Sequence, residues 1–183
     1  TPPGTEIMIT GTPSIRKVIL DLLQHDSIYT LALAFVIIFL LLIVMQRSLM
    51  QAIVISLPLI LGVIWTAGTL GWLDIKISIA TAGLGAMILG LGVEYGVFMI
   101  SRYKEEKTKH DQRNSLLIAV PAVGSAVMGS GTTTIVGFLA LLFSIMPMMQ
   151  HLGFSLALGI FYCIIGAVLV EPVLIILEER LKQ

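Results

Sequence analysis

One carboxylate lies inside a long apolar stretch of this chain. Glu94 is the only charged residue between Ile77 and Ser101, and this stretch is longer than the roughly 20 apolar residues that cross a bilayer as a helix. A charge at such depth costs about 2.5–3.5 kcal/mol on insertion scales. Because that cost brings no gain in solubility, the position of Glu94 predicts a functional site, most often part of an ion or proton pathway.

Hydroxyl groups are expected at a similar depth in a later apolar stretch. Glu94 lies eight residues before Arg102, or about 12 Å along a helix. Ser130 and Thr133 lie nine and twelve residues past Pro121, or roughly 14 and 18 Å. Hydroxyls can donate to a carboxylate or pass a proton onward, so the spacing predicts a relay that joins Glu94 to Ser130 and Thr133.

Thr134 and Tyr95 are the further candidates for this relay. Tyr95 adjoins Glu94 in the sequence, and its hydroxyl could form a hydrogen bond across a helix interface. The alternative is structural: serine and threonine hydroxyls often donate to carbonyl groups of their own helix, and a buried tyrosine packs as an aromatic ring. Both interpretations stay open from the sequence.

Glycines are expected to form a packing face on the helix that carries Glu94. Gly92 and Gly96 are separated by three residues, and Gly85 precedes Gly92 by seven. This spacing lets a second helix approach closely. We expect these three glycines, with Gly137 on a later helix, to support helix packing, and Glu94 to lie at a tight helix contact and not against lipid.

Glu171 is a second, weaker acidic candidate. It precedes Pro172 and lies six residues before Leu177, which places it near the predicted cytoplasmic boundary. Water can reach a side chain at such a position. We therefore expect solvation or anchoring of the helix end, with a part in proton transfer as the alternative.

The composition identifies an integral membrane protein. Hydrophobic residues make up 57% and charged residues 12% of the 183 residues, with a mean hydropathy of +1.00, whereas soluble domains carry about 25% charged residues. The lone Cys163 excludes a disulfide framework and a cysteine-based metal site. The acidic and histidine residues of 105–111 alternate with lysines, which is typical of a solvated face, so no metal is expected.

Five continuous apolar stretches predict an all-α transmembrane bundle of five helices, since a β-barrel would show short alternating strands. We expect residues 102–120 to form a cytoplasmic amphipathic connector, which Pro121 divides from the next spanning helix. Residues 179–183 are expected to form a cytoplasmic tail. The predicted spans are approximately 28–45, 49–70, 77–101, 122–145 and 152–177.

Residues 1–26 are predicted to lie outside the membrane, as a short strand over Thr5–Thr10 and an amphipathic helix that begins with Thr12 as its N-cap. The loops differ in positive charge, with eight lysines and arginines on one side and three on the other. The side with more positive charge faces the cytoplasm, so the N-terminus is expected outside and the C-terminus inside. The larger set is Arg47, Arg102, Lys104, Lys107, Lys109, Arg113, Arg180 and Lys182, and the smaller is Arg16, Lys17 and Lys76.

Two stretches resemble the resistance–nodulation–division (RND) superfamily. Residues 90–96 (GLGVEYG), continued by 101–106 (SRYKEE), resemble the fourth-helix motif of its hydrophobe/amphiphile efflux branch and of the related mycobacterial large membrane proteins. Residues 131–138 (GTTTIVGF) resemble the fifth helix. The resemblance implies that the chain holds helices two to six of one six-helix repeat, with 1–26 as a strand-helix remnant of the external porter domain.

This resemblance implies a secondary active transporter, not an enzyme, in the inner (cytoplasmic) membrane. Such proteins export hydrophobic or amphipathic molecules, such as lipids or drugs, using the proton gradient. The family's acidic proton carrier corresponds to Glu94, where aspartate is usual, and its neighbouring tyrosine to Tyr95. The implied partners are membrane lipids, a hydrophobic substrate and a second pseudo-symmetric repeat or another copy, but no nucleic acid. Protons are the expected coupling ion, sodium remains open, and no cofactor is expected.

Two alternatives share features of this pattern. A Sec-accessory protein-export factor has a similar acid on helix four, but its motif continues with Asp-Ala-Asn, unlike Tyr95-Gly96. A sterol-sensing regulator would bind lipid without pumping, and dependence of transport on a proton gradient would separate it from a pump. An intramembrane enzyme is disfavoured because the common hydrolase and metalloprotease motifs are absent from the sequence.

Overall fold

The computed structural model is a bundle of packed helices. It describes residues 12–75, 81 and 83–181, with side chains described at 22–23, 25–75, 81 and 83–180. Five helical segments in this part of the chain are long and apolar enough to cross a membrane, which confirms the predicted class. The helices are α1 (Thr12–Gln46), α2 (Leu49–Trp72), α3 (Leu84–Lys107), α4 (Gln112–Leu139), α5 (Pro147–Ile165) and α6 (Glu171–Leu181).

The first helix is one continuous rod from Thr12 to Gln46, where the sequence indicated a connecting helix followed by a separate span. It ends in a tight turn, in which Arg47 adopts a positive φ of 50°, and α2 begins two residues later. The strand predicted for Thr5–Thr10 lies outside the described residues. α1 packs against α2 and α3 at the edge of the bundle.

The third helix covers Leu84–Lys107, and residues 81 and 83 lie in turns. Residues 77–80 of the predicted span lie outside the described residues. At its other end the helix continues past Ser101 to Lys107. Arg102 and Glu106, one turn apart, form a salt bridge of 2.7 Å in this extension. The expected connector 102–120 is therefore two helix ends joined by the short segment 108–111.

The fourth helix passes through Pro121 without a break, so this proline does not separate an interfacial helix from a spanning one. A proline inside a helix removes one N–H donor and leaves the carbonyl of Leu117, four residues earlier, without its usual partner. Pro121 is exposed and lines a groove that α4 shares with Pro172 and Ile176 of α6. The helix ends in a 3-10 turn, Ala140–Phe143.

The fifth helix is central, since it packs against α2, α3 and α4. A single π-helical turn, Gly166–Val170, joins it to α6, so that the two form one long rod. The core between these helices is built from large apolar side chains that are almost completely buried, among them Ile55, Ile88, Leu89, Tyr95, Met99 and Ile160.

Three of the four glycines predicted to support packing lie at close contacts between helices. A methyl group at Gly85 would lie 2.8 Å from Leu31 Cδ1, and one at Gly92 would lie 2.7 Å from Cys163 Sγ. At Gly96 it would lie 2.9 Å from Ile55 Cγ2. Gly137 differs, because no described atom lies within 4 Å of the corresponding position, so the structure does not place it at a helix contact.

Candidate proton-transfer site

Glu94 lies on the exposed side of α3. Met87, Gly90, Glu94 and Phe98 are all exposed and follow one another at helical spacing. Glu94 is therefore not at the glycine contact that the sequence predicted. Gly92 and Gly96 are each two residues away, which corresponds to about 200° around a helix, and both are buried on the opposite side.

A matching exposed stripe lies on α4. Its members are Ala126, Ser130, Thr133 and Gly137, spaced by four, three and four residues. α3 and α4 are adjacent and, since only residues 108–111 join them, run antiparallel. We call the eight exposed residues of the two stripes, including Met87, Gly90, Glu94 and Phe98 of α3, the Glu94 face.

The register of the two helices places Glu94 level with Ser130. A shallow groove between α3 and α4 is lined by Phe98, Arg102, Ala122 and Ala126, among others. Phe98 thus lies level with Ala126. One turn further into the membrane, Glu94 on α3 comes level with Ser130 on α4, because the helices run in opposite directions. The antiparallel register of α3 and α4 is therefore consistent with the similar depth that the sequence predicted for Glu94 and Ser130.

The relay hydroxyls donate to their own helix. Ser130 Oγ lies 3.5 Å from the carbonyl oxygen of Val127, and Thr133 Oγ1 lies 2.7 Å from that of Ser130. Thr134 Oγ1 donates to the same Ser130 carbonyl at 3.0 Å. This is the structural alternative that the sequence left open. Each hydroxyl oxygen still has lone pairs that can accept a proton from another donor.

Tyr95 links the helix of Glu94 to α4. Its side chain is only 1% exposed. A methyl group at Gly131 would lie 3.7 Å from the Tyr95 hydroxyl oxygen. The Tyr95 hydroxyl therefore lies at the contact between α3 and α4, and its part in a relay stays a prediction.

Glu171 is enclosed by the protein, contrary to the expected access of water. Its side chain is 0% exposed, and neither carboxylate oxygen has a hydrogen-bond partner. It is the first residue of α6, directly after the π-helical turn, and α6 packs against α2 and α3. The distance of Glu171 from the end of the apolar stretch did not predict its exposure to water, because its burial depends on the neighbouring helices.

A polar cluster ties α3 to α6 at the charged end of the bundle. Tyr103 donates a hydrogen bond of 2.6 Å to Glu179 Oε1, and Lys107 forms an ion pair with the same carboxylate. Sequence reasoning missed Tyr103 and Glu179 because they are 76 residues apart. The nearby acids Glu105 and Glu106 pair with basic side chains.

A comparison with known protein families identifies the family of this chain. The model of the MMPL family matches residues 1–181. The chain belongs to the MMPL family. The resemblance to the RND superfamily and to the mycobacterial large membrane proteins is thereby confirmed. No solved structure matches the chain.

Several curated proteins are similar to this MMPL-family chain. MJ1562 of Methanocaldococcus jannaschii is 42% identical over 180 residues, which cover 98% of this chain and 46% of that protein. The siderophore exporter MmpL5 of Mycobacterium tuberculosis is 26% identical over 188 residues, covering 98% of this chain and 19% of the relative. The apo-petrobactin exporter of Bacillus anthracis is 26% identical over 187 residues, covering 97% and 25%. The chain spans less than half the length of each of these three relatives.

Proposed function

We propose that this chain is the proton-coupling membrane part of a secondary active exporter of hydrophobic or amphipathic molecules. The observation that carries the proposal is the position of Glu94, a carboxylate in the middle of a spanning helix, beside buried Tyr95 and level with Ser130. Two relatives named as exporters support export over a Sec-accessory or lipid-sensing role. Siderophores, which the name of one of these relatives includes, are one class of molecule to test as substrate.

The exposure of Glu94 supports a partner on the Glu94 face. A carboxylate facing hydrocarbon costs about 2.5–3.5 kcal/mol on insertion scales, so a neighbour that offers a donor or a positive charge stabilises it. The face also presents Gly90, Ala126 and Gly137, which are small enough for another helix to approach closely. We assign this position to a second pseudo-symmetric repeat or another copy of the chain, and the outer surface of α1 to membrane lipids.

Protonation of Glu94 is the event that drives the cycle. The neutral acid removes a charge from the Glu94 face and weakens its attraction to a polar partner, whereas the carboxylate restores it. The two protonation states therefore favour different positions of α3 and α4 against the partner. Tyr95 and the α4 hydroxyls provide acceptors and donors between Glu94 and the interior of the bundle.

Basic residues support the proposed orientation in the inner membrane. Lys104 donates a hydrogen bond of 2.7 Å to Gln46 Oε1, so the α1–α2 turn and the end of α3 lie at the same end of the bundle. Arg47 and the cluster from Arg102 to Arg113 therefore share one side, which the positive-inside rule assigns to the cytoplasm. The N-terminal end of α1 then faces outward.

Vesicles that contain the full-length protein test the proposal. A proton gradient is imposed across the vesicle membrane, and movement of a fluorescent amphipathic dye or a siderophore is followed with and without a protonophore. We expect transport that stops when the gradient collapses. Transport that continues without any proton gradient, or that follows a sodium gradient instead, would contradict proton coupling.

A further inference from the structure

The carboxyl group of Glu171 occupies a closed site between α2, α3 and α6. A methyl group at Gly96 would lie 3.1 Å from Glu171 Oε2 and 3.3 Å from Oε1. The missing side chain of Gly96 thus makes room for the carboxyl group against the backbone of α3. Since the site is closed by this chain alone, a docked partner cannot supply a donor to Glu171 unless the helices separate.

No charged group in the described part of the chain balances Glu171. α2 carries no charged residue or histidine. On α3, Tyr95 adjoins Gly96 while Glu94 faces the opposite side, and on α5 the nearest titratable group is the Cys163 thiol. The other acids of α6, Glu178 and Glu179, lie about two turns further along.

This packing suits a neutral acid. Burying an ionised carboxylate without a partner costs several kcal/mol, and buried polar groups in proteins almost always have hydrogen bonds. A protonated acid has one O–H donor. Pro172 follows Glu171 and has no N–H, so a carbonyl group about one turn earlier lacks its helical donor. The neutral acid brings no uncompensated charge into this site, whereas the carboxylate does.

The backbone directly before Glu171 contains a π-helical turn at which α6 could shift. The π-helical turn Gly166–Val170 ends directly before it, and single π turns are frequent at functional sites. Gly166 lies against Pro58 of α2, where an added methyl group would be 3.1 Å from both Cβ and the carbonyl oxygen of the proline. A change of register in this turn would shift α6 against α3 at Gly96 and open the site.

We propose that Glu171 is a second proton-binding site, which holds a proton in this closed arrangement and exchanges it when α6 moves relative to Gly96. Glu94 projects from one side of α3, and Glu171 of α6 contacts the opposite side of the same helix at Gly96. A shift of α3 on protonation of Glu94 therefore changes the contact between Gly96 and Glu171. The role in transport rests on the function proposed above, but proton exchange at Glu171 does not.

Infrared spectroscopy of the full-length protein in vesicles tests the exchange directly. In the Glu94→Gln background, we expect a carbonyl band of a protonated carboxylic acid that decreases reversibly as the pH is raised. The band should disappear in Glu94→Gln/Glu171→Gln and persist in Glu94→Gln/Glu105→Gln, the control at an exposed acid. A band that never changes while the protein stays folded, the absence of a Glu171-dependent band, or removal of the band by sodium at constant pH would overturn the proposal.

Transport by Glu171→Gln gives a second readout. The amide has the shape of the neutral acid but cannot release a proton, so we expect a folded protein that loses proton-driven transport. Wild-type transport by this variant would overturn exchange as part of the cycle. If the variant fails to fold, the titration of the Glu94→Gln protein decides the matter. If the wild-type protein shows no gradient-driven transport, the proposed function fails while that titration still decides whether Glu171 exchanges a proton.

Discussion

The carboxyl group of Glu171 lies directly against Gly96, with its two oxygens 3.1 and 3.3 Å from the position that a methyl group at Gly96 would occupy. Two residues before Gly96, on the other side of the same helix, Glu94 points out of the chain. One part of α3 therefore separates an enclosed acid from an exposed one. A displacement of α3 or α6 changes the surroundings of both.

Gly96→Ala should destabilise the protein. The added methyl group would press on Glu171 and would lie 2.9 Å from Ile55 Cγ2, and such overpacking typically costs about 1–3 kcal/mol. Thermal unfolding in detergent should show a lower Tm for Gly96→Ala than for the wild-type protein.

Gly68→Ala is the matched control for this substitution. Gly68 is an exposed residue within α2, with no described atom within 4 Å of an added methyl group. Alanine is favoured over glycine inside a helix by roughly 0.8–1 kcal/mol, so its Tm should be unchanged or higher. Equal stability of Gly96→Ala and Gly68→Ala would contradict the described contact between Gly96 and Glu171.

Gly92 and Cys163 should be energetically coupled. A methyl group at Gly92 would lie 2.7 Å from Cys163 Sγ, so Gly92→Ala alone should be destabilising. Cys163→Ala removes the sulfur and should make the same methyl group less costly. A double-mutant cycle of unfolding free energies is expected to give a coupling of about 0.5–3 kcal/mol, and additive effects of the two substitutions would contradict the contact.

Tyr103→Phe should loosen the charged end of the bundle. The lost hydroxyl donates to Glu179 at 2.6 Å, and hydrogen bonds to charged groups contribute about 1.5–3 kcal/mol. Because Glu179 keeps its ion pair with Lys107, we expect a loss near 1.5 kcal/mol in the free energy of unfolding. Tyr29→Phe is the control, since Tyr29 is 63% exposed. Equal effects of the two substitutions would show that the Tyr103 bond adds no stability.

The sequence predicted the fold well because membrane insertion depends on composition. Five apolar stretches of sufficient length were enough to predict five spanning helices, and the motif around Glu94 was enough to indicate the family. The Gln46-Arg47-Ser48 turn was also visible as a polar break. These features depend on local sequence and on the bilayer, and neither requires knowledge of how the helices pack together.

The faces of the helices could not be predicted in the same way. A helix that is apolar on all sides has no hydrophobic face that points to the core, so Gly92 and Glu94 could not be assigned to opposite sides by hydrophobicity. Helical geometry alone places residues that are two apart on different sides, and this signal was available. The burial of Glu171 depends on Gly96 in another helix and on the π-helical turn, which no local pattern indicated.

Transport by a Glu94→Gln variant of the full-length protein tests the central claim most directly. The protein is reconstituted in vesicles with an imposed proton gradient, and Glu94→Asp and Glu105→Gln serve as matched variants. We predict that Glu94→Gln folds but loses gradient-driven transport, that Glu94→Asp keeps at least part of it because the titratable group remains, and that Glu105→Gln transports normally. Undiminished gradient-driven transport by Glu94→Gln would contradict the assignment of Glu94 as the proton carrier.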